Sequence, residues 1–72
     1  MIPVTIMMDN QKLSLAGQGI FTVDDWCAVT FGEYSNGWRP ESGSKIRIWK
    51  EDYFSLFIFT WGHCISWVEE DK

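Results

Sequence analysis

The sequence predicts an α+β domain, rich in strand, in which one short helix packs on a largely antiparallel sheet of four or five strands. Three observations carry that expectation. The last third of the chain, residues 45–69, holds three apolar and aromatic runs separated by short polar breaks. Residues 3–8 form a further β-prone run. Between them, residues 23–33 place large side chains at helical spacing.

In the C-terminal third the runs are Ile46–Trp49, Tyr53–Trp61 and Cys64–Val68, broken by Lys50-Glu51-Asp52 and by Gly62-His63. Polar breaks of this length between apolar runs predict a three-stranded antiparallel meander. A two-residue turn with Gly62 at positive φ pairs Trp61 with Cys64, and a three-residue loop pairs Trp49 with Tyr53. Alternation then sorts the side chains into two faces. Ile46, Ile48, Phe54, Leu56, Ile58, Thr60, Ile65 and Trp67 form an apolar core face. Lys45, Arg47, Trp49, Phe57, Phe59 and Trp61 fall on the other, where aromatic rings alternate with cations and function is expected.

At the N-terminus, Pro3-Val4-Thr5-Ile6-Met7-Met8 reads as a strand, with Pro3 suited to the start of an edge strand because it cannot donate to a ladder. The pair Asp9-Asn10 suggests a hairpin whose second arm is Gln11–Leu15, with Leu13 and Leu15 on one face. Val23, Trp26, Cys27, Thr30, Phe31 and Tyr34 follow at i, i+3, i+4, i+7, i+8 and i+11, the stripe of an amphipathic helix. Thr22 and Asp25 approximate a capping box, and Asp24 and Asp25 suit the positive end of the helix dipole. The strand-prone composition of this segment keeps an all-β, barrel-like fold as the alternative. Residues 35–44 form a polar loop containing Trp38 and Arg39, in which Trp38 either plugs the core or meets a partner.

Seventy-two residues make one domain, 1–72, and twelve aromatic residues (five Trp, five Phe and two Tyr) supply a core without disulfides or metal. Ten acids against six bases give a formal charge of −4, so the overall basic footprint of a duplex-DNA or anionic-lipid binder is missing. Two cysteines, no leader pattern and no apolar run long enough to span a bilayer point to a cytoplasmic, non-membrane protein.

No catalytic site is expected. His63 is the single histidine, and it lies in a turn without a nucleophile and an orienting group arranged around it. Cys27, His63 and Cys64 lack paired metal-ligand spacing, and no cofactor motif is present. The functional expectation is therefore a non-enzymatic protein-binding module. Small acidic, aromatic-rich chains of this kind are common among phage-encoded inhibitors of host machinery or bacterial immunity, the anti-CRISPR class included, which act by occupying a partner surface. The contact candidates are Trp38, Arg39, Glu41, Arg47, Trp49, Glu51, Asp52, Phe57, Phe59 and Trp61, with Glu33 as a further acid. Trp38 or Trp49 would anchor the contact, while the acids face a basic, nucleic-acid-binding site on the partner. The alternatives are a single-stranded nucleic-acid binder using the aromatic face, and a structural subunit or homo-oligomer joined through edge strands.

Overall fold

The first strand, β1 (Val4–Met8), becomes the centre of the sheet. The computed structural model describes residues 2–33 and 37–71. After β1 come α1 (Asn10–Leu15), α2 (Ile20–Phe31), β2 (Trp38–Glu41), β3 (Lys45–Ile48), α3 (Glu51–Trp61), a single 3-10 turn (Gly62–Cys64) and β4 (Ile65–Glu70). The sheet order is β2-β3-β1-β4, with every neighbouring pair antiparallel. It follows that β1 runs parallel to β2 and β3 parallel to β4, each pair separated by one strand. The α1–α2 segment makes the first crossover and α3 the second. These are two interlocked split βαβ units on an open sheet. The α+β expectation with a four-stranded antiparallel sheet holds, and the barrel-like alternative does not.

Register explains the core. Val4 pairs with Ile48 and Ile6 with Ile46, while Trp38 pairs with Ile48, so all five side chains point to one face. There they are buried together with Val23, Cys27 and Phe31 of α2 and Phe57 and Trp61 of α3. The intervening residues Thr5, Met7, Lys45, Arg47, Arg39 and Glu41 point to the face that carries no helix. Trp26 of α2 meets Phe31 of the same helix and Phe57 and Trp61 of α3 edge-on, at centroid distances of 5.4, 6.2 and 6.0 Å. Such edge-to-face contacts strengthen packing beyond area burial alone.

The C-terminal meander is corrected. Ile46–Ile48 and Ile65–Val68 are strands, but Tyr53–Trp61 is the helix α3, and β1 lies between β3 and β4. Tyr53, Phe57 and Trp61 recur at every fourth residue, a spacing that one helix face and one strand face accept equally. Burial decides for helix, because Phe57 and Trp61 find the core while Phe59 is 88% exposed. Glu51 and Asp52, taken from sequence as loop, form the first turn of α3, where their charges suit the dipole. Gly62 is right-handed at φ −53°, so the two-residue turn is absent.

The N-terminal hairpin is corrected too. Asp9 caps α1, accepting hydrogen bonds from the backbone N–H groups of Gln11 and Lys12, so Gln11–Leu15 coils instead of returning as a strand. Leu13 is buried and Leu15 is 83% exposed. Nor is β1 an edge strand, since it pairs on both sides.

The helix expected over 23–33 is present as α2, one turn earlier. Its N-cap is Gly19, without a side-chain bond, so the Thr22–Asp25 box does not form and the two aspartates lie beyond the first turn. Val23, Cys27 and Phe31 hold the buried stripe; Thr30 is exposed, and Tyr34 lies outside the described residues. The expected polar loop contains β2, an edge strand that tolerates Pro40, and a three-residue reversal in which Gly43 and Ser44 take φ +80° and +62°.

Candidate functional site

Three of the sequence-nominated contact residues are core. Trp38 is 1% exposed, and its indole N–H donates to the Gly32 carbonyl at 3.0 Å. Phe57 is fully buried and Trp61 is 7% exposed. The anchor role for Trp38 and the aromatic sheet face built from Phe57, Phe59 and Trp61 are therefore withdrawn, because all three of the latter ride on α3. Trp38 and Tyr53 do a different job. The last carbonyls of a helix lack partners within it. At the end of α2, Gly32 O accepts from Trp38, and Phe31 O accepts from the Tyr53 hydroxyl at 3.2 Å while the two rings stack 4.3 Å apart.

Arg39, Glu41 and Arg47 lie on the helix-free face of the sheet. Arg39 is paired with Glu41 at 3.0 Å, and Arg47 with Asp71 at 3.3 Å. Thr5 donates to the same Asp71 carboxylate. Two of the three cations of this face are thus neutralised at home; β1 and β3 present Thr5, Met7, Lys45 and Arg47 there, and Trp67 of β4, opposite Met7, is its one aromatic ring among the described residues. Sheet platforms that stack successive bases use two or more such rings. A shallow depression of about 210 Å³ lined by Thr5, Glu41, Ser42 and Lys45 is below the ~300–1,000 Å³ of ordinary ligand sites. Trp49 follows β3, half-buried, its backbone N–H donating to Gly37 O.

The remaining nominated residues, Glu51, Asp52 and Phe59, are exposed together on α3. Asp52, Leu56 and Phe59 fall at i, i+4 and i+7, one outward stripe in which Leu56 is 43% exposed. A second outward stripe runs along α2. Phe21, Asp25 and Val29 stand at i, i+4 and i+8, with Phe21 81% and Val29 87% exposed. Sequence reasoning missed Phe21, Val29 and Leu56. The signal was available for α2, since these positions are the ones its apolar stripe leaves over.

Electrostatics set the same layer apart. Between them α2 and α3 carry Asp24, Asp25, Glu51 and Asp52 and no lysine or arginine. Asp24 is half-buried with Oδ1 unpartnered, and burial, then the neighbouring Asp25, raises its pKa. Burial and Asp24 push the Cys27 thiol up to about 12. Among the described residues no group of three His, Cys, Asp or Glu side chains could hold a metal ion, and no helix is long and apolar enough to cross a membrane. No family model, curated protein or solved structure matches the chain.

Proposed function

We propose that this chain is a non-enzymatic protein-binding module that docks through the outer side of its α2–α3 layer, an inhibitor of the phage-encoded, anti-defence type acting in the cytoplasm. The carrying observation is the pairing of solvent-exposed Phe21 and Phe59 with acids on two helices that contain no cation. Surface aromatics at this exposure contribute nothing to the core, whereas aromatic residues are enriched at the centres of protein interfaces. Carboxylates around them favour a basic partner surface and speed the encounter with it. A nucleic-acid-binding site is the surface of that chemistry, and filling it would block the partner.

The test is affinity capture from host lysate with the native chain, Leu56→Ala/Phe59→Ala, Phe21→Ala/Val29→Ala, and Arg39→Ala as a control on the opposite face. The reading expects one specific, salt-sensitive partner, reduced by either helix-layer pair and retained by the control. Recovery that is the same for all four proteins, or no specific recovery at all, removes it.

A further inference from the structure

The sheet ends in two unlike edges. β2 is short, contains a proline without an N–H, and carries the charged pair Arg39 and Glu41. These are the devices by which edge strands avoid pairing. β4 lacks a proline, is six residues long and, among the described residues, pairs only with β1, so its other side presents backbone groups unpaired within that set. Ser66 through Glu70 are all exposed, with Trp67 at 40% and Val68 at 42% on opposite faces of the ribbon. A bulge between its pairings to Met7 and Met8 leaves Trp67–Glu70 as the regular stretch.

A second copy is a poor occupant of that edge. A two-fold axis through a continuous sheet aligns only residues that face the same way. On the regular stretch it sets Val68 against Val68 or Glu69 against Glu69. Either alignment crowds Glu69 and Glu70 of both strands into one short ribbon, and β4 has no lysine or arginine to offset them. Opposite charges facing each other across a strand pair have the reverse effect.

We propose that the free edge of β4 accepts an extended, cationic segment of a partner protein as a fifth strand, with apolar side chains beside Trp67 and Val68 and Lys or Arg beside Glu69 and Glu70. Main-chain hydrogen bonds supply the attraction, and the alternating side chains supply the selectivity. This edge is separate from the outer side of α2 and α3, so either surface can fail without the other.

A display library of short random peptides, selected against the full chain, tests the assignment. Enriched peptides should carry two adjacent apolar residues next to two adjacent Lys or Arg, the order that matches Trp67-Val68-Glu69-Glu70. On binding they should slow amide exchange in residues 65–70, and E69K/E70K should weaken binding by about tenfold or more, while Leu56→Ala/Phe59→Ala binds as the native chain does. Both glutamates are exposed, so the charge reversal leaves the fold intact; circular dichroism checks this. Peptides without basic residues, protection confined to α2 and α3, undiminished binding by E69K/E70K, or sedimentation as a dimer joined through β4 would each overturn it.

Discussion

Replacing Trp38 separates a core plug from a presented anchor. The side chain is 1% exposed, meets Phe31 edge-on at 6.5 Å and donates to Gly32 O at 3.0 Å. Trp38→Ala should therefore cost about 3–5 kcal/mol, the usual range for deleting a buried large aromatic. At about 0.05–0.15 kcal/mol per residue, a chain of 72 residues has about 4–11 kcal/mol to lose. The alanine variant should thus lie close to its unfolding limit. Trp38→Phe is the finer probe. It keeps an aromatic ring but leaves the part-buried Gly32 carbonyl without its indole donor, a loss of about 1–3 kcal/mol that includes desolvation. With a urea m-value of about 1 kcal/mol/M for so small a domain, the midpoint should fall by about 1–3 M. Urea titration followed by far-UV circular dichroism reads it directly. A Trp38→Ala midpoint within about 0.5 M of the native one would show an exposed indole and refute the burial argument, along with the account of how α2 ends.

Gly37 lies at φ +130°, where a Cβ would stand 2.6 Å from Tyr53 Cε2 and 2.8 Å from Lys50 Cδ; Gly37→Ala should lower stability by about 1–3 kcal/mol, and an unchanged melting temperature would contradict the close approach of α3 to β2. Cys27 and Cys64 are both buried and free, and the Cys27 thiol is pushed up to about 12, so neither should react with a thiol reagent at neutral pH until denaturant is added. Rapid labelling of the native chain would show that the helix layer opens. Asp24 has a folded pKa raised above its ordinary 3.8, so the fold binds its proton more tightly than the unfolded chain does. Stability is then higher below that range and falls as pH rises through the raised value. Asp24→Asn should raise the melting temperature at neutral pH and lose that advantage in acid, and a variant less stable than the native chain at neutral pH would reverse the sign.

The parts of the fold legible in sequence are those where one periodicity excludes the other. Val23, Cys27 and Phe31 repeat every four residues, with Asp24, Asp25 and Thr30 off that stripe, and α2 followed. Ile46 and Ile48, like Val4 and Ile6, alternate with polar or lesser groups, and β3 and β1 followed. The run Tyr53–Trp61 has only Ser55 and Thr60 as polar residues, so its period could not be fixed, and aromatic content argued for strand where length argued for helix. The deciding feature was the acid pair Glu51-Asp52 directly ahead of a long apolar run, a helix start that also resembles a hairpin loop. Asp9 posed the same ambiguity, since aspartate serves a turn and an N-cap equally. A strand over these residues puts Phe57 and Phe59 on one face, whereas the helix α3 sends them to opposite sides. That single difference carried the aromatic sheet face with it.

The acids of the helix layer are not explained by stability. Glu51 and Asp52 gain from the dipole of α3, but Asp24 and Asp25 lie beyond the first turn of α2 and adjoin each other. No lysine or arginine stands three or four residues away on either helix, so the ion pairs that usually accompany surface acids on helices are missing. On α2 burial raises the pKa of Asp24, so its ionised carboxylate opposes folding at neutral pH. The same layer also leaves Phe21 and Phe59 in solvent, where neither adds to the core. On the sheet's other face the opposite holds, with Arg39 and Arg47 each matched to a carboxylate. One surface has two of its three cations matched to carboxylates, and the other is left acidic, without cations and aromatic. Local rules broken together on one side of the molecule are what the proposal of a positively charged partner for this layer rests on.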